Sequence, residues 1–201
     1  MTIPACSIEF LDQALFTDLY DAPDAVDALL GFCTESILAL QCHLEAQVPL
    51  LRSHMGGVWG VAVAPRMLFI NGDPTDMISV SMAERFDYPW IARLRQGAGA
   101  LYFHHHSIGI SRAAPISRIP GLTIQQILQD PNGPRLEDAL DEALIEASLR
   151  TPIHLGMNLA QCARPEAIVE RLHRGRFIVQ ASARTLEQAR QIVAMVESSG
   201  R

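Results

Sequence analysis

Positive charge is in short supply. Sixteen basic residues against 22 acidic ones leave a formal net charge of −6, and the pI near 5.6 gives no cationic surplus to neutralise phosphates, so nucleic acid is not expected as a partner. The sequence also lacks an uninterrupted apolar run near the ~20 residues that span a bilayer. Its opening, MTIPACSIEFLD, has no basic segment leading into an apolar one. The expectation is a cytoplasmic protein that does not engage a membrane. Cysteine is sparse: Cys6, Cys33, Cys42 and Cys162 form no C-x-x-C pair, which suits free thiols in a reducing compartment. Cys33 and Cys42 lie on opposite faces of one predicted helix at ~100° per residue, so they cannot share a metal. A P-loop, a G-x-G-x-x-G after a strand and a G-x-S-x-G elbow are all absent, which removes support for nucleotide hydrolysis, Rossmann dinucleotide binding and α/β-hydrolase chemistry.

What is present is apolar residue in quantity, 49% of 201 residues, enough to bury the core of one domain. The expected organisation is a single domain over 1–201, with a helical lead-in over 1–50 and βα units over 56–201. Val26, Leu29, Leu30, Cys33, Ile37, Leu40, Leu44 and Val48 recur in steps of three and four, the mark of an amphipathic helix begun at Asp21 or Pro23. GGVWGVAVAP reads as a strand or hairpin arm, followed by the strand RMLFI and the turn Asn71-Gly72-Asp73. A helix opened by Ser79 or Ser81, with Glu84 completing a capping box, is kinked or bounded at Pro89. Then follow the strand GALYFHHH, a short helix over 111–118, the strand GLTIQQIL, a helix over 135–149, the strand TPIHLGMN, a helix over 165–173, the strand RFIVQAS and a helix over 185–196. Alternation of this kind predicts βαβ units and a parallel sheet covered on both faces. Function is then expected at the carboxyl ends of the strands.

Those ends carry Asp73 and Asp76, the three histidines 104–106, Asp130 and Asn132, His154 and Asn158, and Gln180 and Ser182. Side chains alternate along a strand, so His104 and His106 share one side with β-carbons roughly 7 Å apart, close enough to converge on a divalent ion. His105 is expected to pack outward against a helix or loop. The alternative reading of the pair is polar groups closing a strand, bonded to loops or to an anionic ligand. Asp73 reads as a general acid/base or a third metal ligand, or else as a turn aspartate before proline. Asp130, in the turn QDPNGP, can still face a cavity. His154 reads as a satisfied core residue, Asn158 as a ligand contact or a turn organiser, and Trp59 and Trp90 as core or cavity-wall aromatics. Arg112, Arg118, Arg164 and Arg184 border helices as solvated surface charge able to pair with a carboxylate.

In order and spacing, the segments LFTDLYDAPDAVDALLGFCTESILALQ, DPTDMISVSMAERFDYPWIARL, LYFHHHSIGI, LGMNLAQCARPEAIVERL and RFIVQASARTLEQARQIVAMV resemble the carboxyl-terminal portion of the uroporphyrinogen decarboxylase family. That family also includes zinc-dependent methyltransferases acting on corrinoid cofactors. The resemblance implies an incomplete (β/α)8 TIM-type barrel, with parallel strands and outer helices, lacking its amino-terminal third. The strand edges left open are then expected to be covered by a partner chain, by a second copy or by the leading helices. HHHSIG falls where the family often has a strand ending in H-x-C-G: His104 matches the histidine, His106 stands in the cysteine's place, and Ser182 is the nearest equivalent of a second cysteine. A serine hydroxyl is a poor zinc ligand. On this alignment zinc is the implied cofactor, held by His104 and His106, and Asp73 points into the cavity, whereas the family's substrate-gripping arginines and catalytic aspartate belong to the part that is missing. Asp73 is the expected catalytic residue by its own place at a strand end. Asp130, Asn158 and Ser182 are expected to contact a small anionic substrate. The reaction implied is decarboxylation or metal-assisted methyl transfer. The rival expectation is a non-catalytic fragment that binds a ligand or completes another subunit.

Overall fold

The computed structural model describes residues 14–49, 56–58, 61–156, 162 and 164–199. Helix α1 (Ala14–Asp21) leads into α2 (Pro23–Gln47), whose proline takes the first turn without a side-chain cap from Ala22. The expected period is realised: Val26, Leu30 and Cys33 are buried, while Cys42 is exposed. By length and composition alone, α2 is apolar enough to cross a membrane. Here it lies against α1 and α4 (Tyr88–Gly97), and its buried Glu45 meets Arg66 at 2.9 Å. Trp90 of α4 is placed close to Gly31 of α2, where an added Cβ would come within 3.2 Å of its ring.

Strands β1 (Gly56–Val58) and β2 (Val61–Val63) form a small antiparallel hairpin. Trp59, between them, lies outside the described residues. The remaining strands are β3 (Met67–Asn71), β4 (Ala100–His106), β5 (Leu122–Leu128), β6 (Ile153–Gly156) and β7 (Phe177–Gln180). They form one sheet in chain order, with β3 parallel to β4 and β5, β6 and β7 parallel in sequence.

Two predicted helices are each divided. The first becomes α3 (Val80–Phe86) and α4, separated at Asp87. Its cap is Ser79, whose hydroxyl accepts from the Met82 amide, rather than a box between Ser81 and Glu84. Pro89 sits in the first turn of α4, where its missing N–H costs nothing. The helix expected over 135–149 is α6 (Leu136–Ala139) and α7 (Glu142–Arg150), because Asp141 caps α7 through the Leu144 amide. Ahead of them, a 3₁₀ turn (Ser107–Arg112) runs into α5 (Ala113–Ile116). Helices α8 (Pro165–Leu172) and α9 (Leu186–Ser199) complete the described residues.

Contacts divide the molecule into two compact units, one holding described residues up to His104 with Ile119–Thr123, the other His105–Arg118 with Ile124 onward. In the second unit, register puts Gln125, Ile127, Ile153, Leu155, Phe177 and Val179 on one face of β5, β6 and β7. That face meets Leu136, Leu140, Leu144, Ile145, Ile168, Val169 and Leu172 in a continuous apolar core. Each fully buried aliphatic side chain contributes about 1.5–3 kcal/mol. The opposite face carries Gln126, Leu128, His154, Ile178 and Gln180, and Gln126 and His154 on it are fully buried, so this face too is covered.

Candidate metal centre and adjoining cleft

The site begins where β3 and β4 end side by side, with Asn71 opposite His104. Immediately beyond, the Gly72 amide donates to the His104 carbonyl at 2.6 Å and the Asp73 amide to the Asn71 side chain at 3.2 Å. This approach needs a residue without a side chain: a Cβ on Gly72 would stand 2.3 Å from the Phe103 ring and 2.8 Å from the His104 carbonyl oxygen. Gly72→Ala is expected to destabilise the fold by about 1–3 kcal/mol. A urea midpoint unchanged from wild type would contradict that.

The chain then turns into the 3₁₀ helix Asp73–Met77. Its buried Thr75 donates a short hydrogen bond to Asp87, which holds the turn to the break between α3 and α4. Asp87 is fully enclosed, and burial pushes its carboxyl up to about 7; the Thr75 hydrogen bond acts the other way and the nearby Asp76 charge adds to the rise.

Asp73 thereby stands beside the buried His104, with Oδ1 to Nε2 at 3.5 Å. The His104 ring stacks over Phe69, centroids 6.0 Å apart, and Phe69 stacks on Tyr102 at 5.6 Å. Burial drives the Tyr102 phenol well above its ordinary range. Asp73, His104 and His106 each offer a donor atom, and the three lie within 4.8 Å of one another. With bonds of about 2.0–2.1 Å, a tetrahedral zinc spaces its donors about 3.4 Å apart. The Asp73–His104 pair already has that spacing, and His106 is on the same strand, two positions on. One carboxylate and two imidazoles make a donor set suited to a divalent cation, leaving a position for water or substrate.

His106 is itself gripped. Its Nδ1 lies 2.8 Å from Asp130 Oδ1, and Asp130 Oδ2 also accepts from the Ile108 amide at 3.3 Å. Asp130 is held in turn through its own amide, which donates to the buried Ser107 hydroxyl at 3.0 Å. His105 turns to the helix-covered face, where its Nε2 pairs with the Gln125 side chain at 2.7 Å. The expected helix or loop partner is thus replaced by a neighbouring strand. His154 is a buried core residue bonded to Gln126 at 3.3 Å.

At the carboxyl ends of β5, β6 and β7 a cleft of about 640 Å³ opens within the second unit. Leu128, Gly156 and Gln180 form its floor, and Asp130, Arg135, Glu137, Cys162 and Ser182 supply most of its polar lining. Arg135 and Glu137 form an ion pair at 2.6 Å. Burial first, and then a hydrogen bond to Glu137, push the Cys162 thiol up to about 12, so it stands in the cleft as a thiol rather than a nucleophilic thiolate.

The structure thus brings Asp73, His104 and His106 together and places Asp130 and Ser182 in the cleft, while Asn158 lies outside the described residues. Ser182 is exposed at the cleft. Arg135, Glu137 and Cys162 also line the cleft, and no motif or periodicity in the sequence marks them. Arg118, Arg164 and Arg184 are exposed, as expected of surface charge. All sixteen basic residues are arginine, so Schiff-base chemistry through lysine is not open to the chain. Compared with protein-family models and with curated proteins, the sequence matches none.

Proposed function

We propose that this chain is a uroporphyrinogen decarboxylase-like barrel protein that holds one divalent cation, zinc in the first instance, and offers it to a small anionic substrate. The observation that carries the reading is the convergence of Asp73, His104 and His106 at the carboxyl end of parallel strands. In-order parallel strands, with the second unit's helices on one face, support winding of the barrel type rather than a doubly wound sheet, which needs a switch point and helices on both faces. An ion in this position would act as a Lewis acid toward a substrate carboxylate or thiol. The protein's own part is to orient the ligands, Thr75 and Asp87 holding the turn that begins at Asp73 and Asp130 holding His106, and to hold substrate in the cleft. There Arg135, held against Glu137, is the guanidinium of the described lining.

The metal-dependent reading differs from decarboxylation of a tetrapyrrole, which needs several cations to grip propionate and acetate groups. The cleft's described lining includes one arginine beside two carboxylates. The test is quantification of metal in protein dialysed against micromolar zinc chloride. One equivalent per chain is expected, together with no conversion of uroporphyrinogen by the chain alone. Less than a tenth of an equivalent would overturn the cation, and measurable coproporphyrinogen would overturn the choice of substrate class.

A further inference from the structure

Asp130 was expected to contact substrate, yet its side chain is already committed. Oδ1 faces His106 Nδ1 at 2.8 Å, Oδ2 accepts from the Ile108 amide, and the backbone amide donates to Ser107. The loop behind it is equally constrained. Gln129 donates to Ser107 Oγ, to the Asp130 carbonyl and to the Pro134 carbonyl, and accepts from the Leu136 amide at 2.8 Å. Gly133 packs so close that an added Cβ would meet Ser107 Oγ at 2.3 Å. A carboxylate held this firmly against one nitrogen of a neutral imidazole favours the tautomer with the proton on that nitrogen, which leaves the lone pair on Nε2.

We propose that Asp130 is a positioning residue for the cation, acting through His106 rather than touching substrate. It fixes the ring plane, makes Nε2 the ligating nitrogen and raises that nitrogen's basicity. The same residue lines the cleft beside His106. This inference rests on the cation reading above, and its test separates the two.

Asp130→Asn keeps the shape and an acceptor oxygen but loses the charge, whereas Asp130→Ala loses both. Zinc affinity, measured by competition with a chromophoric chelator, is expected to fall about 10–100-fold in Asp130→Asn and further in Asp130→Ala. Urea midpoints for the metal-free Asn variant should stay close to wild type. In metal-free wild-type protein, long-range ¹⁵N–¹H correlations are expected to show His106 as the Nδ1–H tautomer, and in Asp130→Ala as a mixture. Zinc affinity within twofold of wild type in both variants would overturn the positioning role while leaving the cation site standing. The expected tautomer pattern in a protein that takes up no zinc would overturn the cation reading and with it the function assigned to Asp130.

Discussion

Replacing His104 and His106 together by alanine is expected to weaken zinc binding on the order of a thousandfold or more, about 4 kcal/mol of binding free energy. The pair supplies two of the three donors that converge at the ends of β3 and β4, and a lone carboxylate in water is a poor zinc ligand. The loss is specific to these two members of the histidine run. His105 turns to the other face and bonds Gln125, so His105→Ala removes a buried hydrogen bond and is expected to lower stability by about 1–3 kcal/mol without changing zinc affinity more than a fewfold. Equal loss of zinc in the His105 variant would mean that the alternation of the strand does not decide which rings reach the ion.

The second large effect is a pH-dependent stability that disappears on substitution of Asp87. Its carboxyl is raised from 3.8 to about 7 by enclosure. An acid whose folded-state value lies above its unfolded value keeps a proton in the folded chain that the unfolded chain has released. Its penalty is therefore absent below pH 4, grows as pH rises from about 4 to about 7, and is constant above that. At 1.36 kcal/mol per pH unit, the gap corresponds to roughly 4 kcal/mol lost between those limits. Asp87→Asn keeps an acceptor for Thr75 and cannot ionise. It is expected to match wild type within about 1 kcal/mol at pH 4 and to exceed it by several kcal/mol at pH 8 in urea unfolding. A difference between the two proteins that is the same at both pH values would show that Asp87 is not the origin of the slope.

Much of this could be read in advance, for identifiable reasons. The run ALYFHHH is apolar until its last three residues, and strict alternation sends His104 and His106 one way and His105 the other; β4 does just that. The 25-residue helix α2 declares itself by period and by proline at its start. Local competition for hydrogen bonds was harder to see. Asp87 and Asp141 each sit inside an otherwise helical pattern, and one ends a helix by burial against Thr75 while the other caps a new one. The support of the site was invisible for a different reason. Asp130 meets His106 across 24 positions and Thr75 meets Asp87 across 12, and no periodicity encodes such pairings. The same holds for Cys162 with Glu137, separated by a strand and a helix. Asp130 was read as a substrate contact because a turn aspartate at a strand end commonly faces a cavity. It does line the cleft, and it also meets His106 Nδ1.

The central claim is that two imidazoles and one carboxylate from adjoining strand ends bind a single ion. X-ray absorption at the zinc edge of the loaded protein tests it most directly. The expected spectrum has a first shell of nitrogen and oxygen at about 2.0 Å with outer-shell scattering from two imidazoles, reduced to one imidazole in His106→Ala. A sulfur shell, or outer scattering unchanged by that substitution, would contradict the account.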